Sequence, residues 1–184
     1  MVLKNFFSFL WEIVKIVIIA LLIVIPIRYF LFQPFLVKGQ SMEPNFHDGD
    51  YLIIDEISYR FKEPQRGEVV VFKYPKATFQ RFIKRVIGLP GETIEIKDGQ
   101  VIIYNNNKTL VLDESSYLGN LKTPGNLKTS LAEGEFFVLG DNRSVSADSR
   151  SWGPVSRKNI IGRVFFRAWP ITTLALIKVP GYEF

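Results

Sequence analysis

The chain has 184 residues with 23 basic and 18 acidic side chains, a net charge of +5, which is room for one domain of about 150 residues and an anchor. The absence of cysteine and the single histidine exclude disulfides, thiolate metal sites, cysteine nucleophiles and any multi-histidine metal centre. The mild basic excess suits anionic lipid headgroups; no aromatic nucleic-acid motif accompanies it, so no nucleic-acid partner is expected.

The first predicted element is a helix. Residues 16–27 are uncharged, a run that alone falls short of the about 20 residues a bilayer core requires. The flanks extend it, with Phe6, Phe7, Phe9, Leu10 and Trp11 before and Tyr29, Phe30, Leu31 and Phe32 after, while Lys15 and Arg28 can reach toward headgroups. A retained transmembrane anchor over 10–33 is therefore expected, behind a short cytoplasmic tail at 1–9. The alternative is a cleaved secretory signal, but Gln33-Pro34-Phe35-Leu36-Val37 offers no small-x-small site. Pro26 is expected to kink or end the helix. Lys4 and Lys15 on one flank balance Arg28 and Lys38 on the other, so charge does not orient the anchor.

After Phe35 short apolar runs alternate with turn residues. Strands are expected at 35–38, 50–55, 68–74, 79–87, 93–97, 101–104, 135–139 and 160–168, and Asp98-Gly99 is a two-residue hairpin signal. The pattern predicts a mainly β fold over 34–184, an irregular barrel or sandwich carrying the chemistry. Residues 105–134 are polar and contain Gly-Asn-Leu-Lys-Thr at 119–123 and again at 125–129. They read as an exposed excursion between strands. Asn107-Lys108-Thr109 matches a glycosylation pattern that means little without a known compartment. The apolar run 169–177 is too short to span and is expected to complete the core or to seat the domain on lipid.

Three segments hold candidate chemistry. Ser41, between Gly39 and Pro44, lies where the chain must turn; such a serine can expose its hydroxyl and offer its own N–H to an oxyanion, or simply bond the local backbone. Lys84 is flanked by Phe82, Ile83, Val86 and Ile87. Burial among them disfavours the ammonium and makes the lysine a candidate base, although in an alternating strand it could equally face solvent. His47 is the rival base, but Phe46-His47-Asp48-Gly49-Asp50 reads as a polar turn. The third segment, 140–153, is dense in Asp, Arg, Ser and Asn, and Asp148 and Arg150 share one side of an extended chain and could pair. A solvated charged loop is the plainer reading of it.

The three segments, in this order behind an apolar helix, resemble the bacterial type I signal peptidases, membrane-bound Ser/Lys serine proteases. The resemblance rests on Ser41-Met42-Glu43-Pro44, on Lys84-Arg85-Val86-Ile87-Gly88-Leu89-Pro90-Gly91, on Gly140-Asp141-Asn142-Arg143 and on Ser146-Ala147-Asp148-Ser149-Arg150. Gly49-Asp50 and the run from Arg66 to Phe72 also fit, while 105–134 is unmatched. The resemblance implies that Ser41 is the nucleophile and Lys84 the general base. It also implies that Ser146 orients Lys84, and that Asp141, Arg143, Asp148 and Arg150 brace the loop. It implies cleavage of exported preproteins after Ala-x-Ala, with Phe35, Val37, Gly39, Met42, Phe46, Leu52, Phe82 and Ile83 as substrate-binding positions. No metal or other cofactor is implied. The expected partners are preproteins and membrane lipids, and the expected form is a single-pass monomer in the plasma membrane, N-terminus cytoplasmic and β domain outside.

Two departures stand out. Some members carry a serine two residues before the nucleophile as an oxyanion donor, where this chain has Gly39, as do many single-anchor members; the large second domain of some members is absent. The eukaryotic and archaeal type carries histidine where this chain has Lys84. The alternatives are a specialised peptidase that matures pilin or other secreted subunits, and a tethered binding module that keeps the fold without the chemistry. Soluble self-cleaving repressors share the dyad logic but lack an anchor.

Overall fold

A computed structural model describes the backbone of residues 2–30, 32–106 and 108–182, and the side chains of 9–24, 33–106 and 108–182. Asn107 and the side chains of Phe6, Phe7, Pro26, Arg28 and Tyr29 to Phe32 lie outside the described residues. The N-terminal apolar segment forms one helix, α1 (Val2–Phe30). Among the described residues no helix is long and apolar enough to cross a membrane, and part of the expected anchor over 10–33 lies outside them. The described turns carry Glu12 and Lys15, and the uncharged stretch beyond them is shorter than a bilayer core requires. Its described apolar side chains are exposed all round, from Trp11 and Ile16 to Leu22 and Val24.

The rest of the chain is mainly β. An eight-stranded sheet is built from β1 (Phe32–Leu36), β2 (Tyr51–Asp55), β3 (Val69–Tyr74), β4 (Ala77–Gly88), β9 (Glu135–Leu139), β10 (Val155–Ser156), β11 (Ile160–Trp169) and β12 (Ala175–Leu176). Its order is β1-β2-β11-β3-β4-β9-β10, with β12 added on β11. Among the described residues the two ends, β1 and β10, do not pair with each other, so the sheet does not close into the barrel that was one of the expected forms. A second sheet of four strands has the order β7-β6-β5-β8, from β5 (Thr93–Lys97), β6 (Gln100–Asn105), β7 (Lys108–Val111) and β8 (Leu127–Ser130). The hairpin at Asp98-Gly99 forms as expected, with Lys97 paired to Gln100 and both turn residues at positive φ.

All eight expected strands are present, with β1 starting earlier than expected; Pro34 is tolerated there because β1 is an edge strand. The central strand β3 reads Val-Val-Val-Phe because both of its faces are covered. Val69 and Val71 join one apolar cluster with Val37, Met42, Phe46 and Leu52, whereas Val70 and Phe72 join another with Val86 and Phe136. A third cluster packs Ile94, Ile96 and Ile103 of the small sheet against Ile87, Phe137 and Leu139.

The polar stretch 105–134 is more than an excursion. It supplies β7, β8 and the short helix α2 (Ser115–Leu118), and it buries Leu112 and Leu131 in the third cluster. Its exposed polar residues mask this because only every second side chain of β7 and β8 turns inward. The run 169–177 does not complete the core: Trp169, Ile171, Leu174 and Leu176 are exposed, and only Ile177 packs against the first cluster.

Candidate active site

Ser41 sits in the loop between β1 and β2, which is tied at its base by bonds between Val37 and the Asp50 and Gly49 backbone. Within it Gly39 adopts φ +81°, and its N–H donates to Asp48 Oδ1 at 2.7 Å. Residues 42–46 make one helical turn whose Met42 and Phe46 side chains are buried, so the loop is nailed down on both sides of Ser41. Lys84 lies on β4, at the point where that strand passes from exposed to buried positions. It is 3% exposed, and Nζ is 2.6 Å from Ser41 Oγ and 2.8 Å from the Ile83 carbonyl. The Phe82 ring lies 5.6 Å from the amine.

Burial pushes the Lys84 pKa down from 10.5 to about 8, against the pull of the Asp148 and Asp141 carboxylates, which favour the ammonium. Each of those carboxylates has an arginine. Asp148 is fully buried; it accepts from Arg150 Nε at 2.8 Å and Nη2 at 2.9 Å, and from the Gly140 N–H at 3.1 Å. The expected Asp148–Arg150 pair is therefore formed, though not on an extended chain: Asp148 caps the short helix Ser149–Trp152 that carries Arg150. Asp141 is held by Arg85 through two bonds of 2.8 and 2.6 Å and by Asn45 at 2.9 Å. Because Arg85 follows Lys84 directly, Lys84 and the clamp on Asp141 belong to one strand segment.

Arg143 points away from the dyad. Its guanidinium donates to the Gly140 carbonyl, to Thr123 and, at 2.5 and 2.7 Å, to both oxygens of Glu114. Tyr117 donates to Glu114, gives its carbonyl to Asn45 and lays its ring 4.1 Å from the Arg85 guanidinium; Tyr182 in turn donates to Tyr117. No sequence signal assigns a role to Asn45, Arg85, Glu114, Tyr117 or Thr123: Arg85 lies inside the Lys84-to-Gly91 motif, and the others lie in segments whose composition says only turn or loop.

Ser146 Oγ is buried and has no hydrogen-bond partner among the described residues. The expected bond to Lys84 is not formed in this structure, where Ile83 O and Ser41 Oγ take the amine instead. The rival base His47 is exposed, and its backbone N–H donates to Asp50.

A groove of about 780 Å³ opens over the dyad. Of the expected substrate-binding residues, Phe35, Phe82 and Ile83 line it with Ser41 and Lys84. Val37, Met42, Phe46 and Leu52 are buried together in the apolar cluster that also holds Ile83, and Gly39 is exposed in the loop.

A serine–lysine contact with the amine buried, braced by two arginine–carboxylate pairs on a mainly β scaffold, fits a Ser/Lys hydrolase. The family model described as signal peptidase, peptidase S26, matches residues 10–169, and the chain belongs to that family. It is 38% identical over 171 residues to a probable signal peptidase I-2 of a Synechocystis species, covering 90% of this chain and 76% of that one. It is 37% identical over 186 residues to the signal peptidase I of Leptolyngbya laminosa (93% and 85% covered). With signal peptidase I V of Bacillus subtilis the identity is 36% over 156 residues (79% and 90%). A crystal structure of a signal peptidase I from Enterococcus faecalis aligns with a TM-score of 0.47 at 35% identity, over 56% of this chain and 97% of that one.

Two expectations follow. The fall in the Lys84 pKa corresponds to about 3 kcal/mol in favour of the neutral amine. Below about pH 8 the lysine is charged in both folded and unfolded chains and the fold carries the burial cost. From there up to about 10.5 only the unfolded chain keeps the proton, so stability contributed by this group rises with pH. Lys84→Met should therefore be more stable than wild type at pH 7, by up to about 3 kcal/mol, with the gap closing toward pH 10 in urea melts. A gap that does not change with pH would mean that the amine titrates normally. Glu114→Ala leaves the buried Arg143 without its carboxylate and should cost about 3 kcal/mol in the same melts; a loss below about 1 kcal/mol would mark the pair as a surface contact.

Proposed function

We propose that the protein is a membrane-associated serine endopeptidase that removes signal peptides from exported preproteins after small-x-small sites, with Ser41 as nucleophile and Lys84 as general base. The observation that carries this reading is the 2.6 Å approach of Lys84 Nζ to Ser41 Oγ in the groove. With the amine neutral, the Ser41 hydroxyl donates to it and attacks the scissile carbonyl as the proton passes to Nζ. The resulting ammonium returns that proton to the leaving amine. Lys84 then takes a proton from water, whose oxygen attacks the acyl carbon, and the proton passes to Ser41 Oγ as the ester bond breaks and the acid leaves. A base with pKa about 8 is neutral often enough near physiological pH while its conjugate acid can still protonate an amine. The Ser41 N–H is the expected oxyanion donor, because the Gly39 N–H is already given to Asp48. Phe35, Phe82 and Ile83 are bulky groove walls that favour small substrate side chains. One chain supplies both members of the dyad, so a monomer suffices.

Exposed apolar side chains around α1 and at Trp169, Ile171 and Leu176 support a membrane setting. The reading assigns the N-terminus to the cytoplasm and the β domain to the outer side, where exported chains emerge.

Wild type should cut a preprotein with an Ala-x-Ala site in detergent, and Ser41→Ala and Lys84→Ala should not. The wild-type rate should rise about tenfold per pH unit up to about pH 8 and then level, since only the unprotonated lysine is active. Residual cutting by Lys84→Ala, or a flat profile from pH 6 to 9, would remove Lys84 as the base. In intact spheroplasts an added protease should digest a C-terminal tag; protection of the tag would reverse the orientation.

A further inference from the structure

The groove runs between β1 with the Ser41 loop and residues 80–84 of β4, and Val145 and Ala147 also line it. The two strands run in the same direction. At one end Arg81 Nη1 donates to Gln33 Oε1 at 3.4 Å; at the other Lys84 meets Ser41 at 2.6 Å. β1 begins two residues after α1 ends, so the Gln33–Arg81 end is the one beside the helix. Arg81 and Lys84 are three residue steps apart on an extended strand, a distance of about 10 Å.

The charged residues that line the groove are Lys38, Arg81 and Lys84, all cationic, with no carboxylate among them. Arg81 is exposed and forms no ion pair among the described residues; its partner Gln33 is neutral. The acid that feels its charge is Glu56, which also feels Arg60, and burial opposes the ionised form of that carboxyl. The helix-side end of the groove therefore presents a positive charge that the protein does not neutralise by direct contact.

We propose that Arg81 is a specificity-determining residue that reads the charge of the substrate residue about four positions before the cut and prefers an acidic side chain there. The inference rests on the peptidase reading above. In that reading the apolar part of the signal peptide stays on the membrane side, so the chain before the cut runs from the dyad toward α1. An extended substrate advances about 3.3 Å per residue, and 10 Å beyond the residue whose carbonyl meets Ser41 reaches the third residue further back. A carboxylate at that point replaces Gln33 as the partner of the guanidinium and gains a charge-assisted bond.

The test uses the full chain in neutral detergent and two preproteins that differ only in Glu or Lys at the fourth position before the cut. The expected result for wild type is a preference for the Glu substrate of about fivefold in kcat/KM, carried by KM and shrinking at high salt. Arg81→Gln should abolish the preference and Arg81→Glu should invert it, in favour of the Lys substrate. A preference unchanged across the three proteins would overturn the proposal. So would a uniform loss on both substrates in vesicles containing anionic lipid but not in detergent, which would make Arg81 a headgroup contact. If wild type cuts neither substrate, the peptidase reading falls and this one with it; cutting without charge discrimination sinks only this one.

Discussion

The site depends on keeping one amine dry, with its pKa held down, within reach of two carboxylates. Lys84 could not lose its proton near neutral pH if Asp141 and Asp148 acted on it undiminished, because both raise its pKa. Burial outweighs them, and Arg85 and Arg150 take up their charge through short paired bonds. Opposite charges held this closely present a small net field to a third group, so desolvation prevails at Nζ. The arginine–carboxylate pairs thus bear on the charge state of Lys84 even though neither touches Ser41. Buried pairs of this kind add little stability by themselves; their contribution here lies in what they prevent.

Holding those pairs in place falls to segments remote from the dyad in sequence. Arg85 is pinned from one side by the Gly67 carbonyl at 2.8 Å and covered from the other by the Tyr117 ring. Gly67 has φ +86°, and a Cβ there would meet the Tyr182 ring at 2.9 Å, so the C-terminal stretch lies directly against the turn that supports Arg85. Tyr182 also reaches Tyr117, which leads through Glu114 to Arg143 and the Gly140 carbonyl. The polar segment 105–134 therefore closes a circuit around the back of the site, with a role beyond filling the small sheet.

The legibility of the sequence followed from the range of the interactions involved. Strand positions, the Asp98-Gly99 hairpin and the Asp148–Arg150 pair depend on period and spacing over a few residues, and these were readable. The approach of Ser41 to Lys84 spans two distant motifs and came from their resemblance to a known family, not from spacing. The partners of Asp141 and Arg143 were not readable: Arg85, Asn45, Glu114 and Tyr117 are brought in by sheet register and by a loop whose composition signals exposure. The open edge of the main sheet was missed for a related reason, since alternation within strands says nothing about whether the last strand meets the first. Val37, Met42 and Phe46 adjoin Ser41 along the chain, yet their side chains turn into the core beneath it.

Gly140 is where these constraints meet. It follows β9 and lies beside the loop that carries Ser41, and a Cβ built on it would fall 2.4 Å from the Ser41 carbonyl and 2.1 Å from Ser146 Oγ. Only a residue without a side chain lets three segments converge so closely, and the closeness is used. The Ser41 carbonyl accepts from the Asn142 N–H at 3.1 Å, while the Gly140 N–H and carbonyl are taken by Asp148 and Arg143. The segment that delivers Asp141 to Arg85 thereby also fixes the backbone of Ser41. The distance between Ser41 and Lys84 is set less by contact between the two than by the two clamps, on Arg85 and on Gly140, that position the segments behind them.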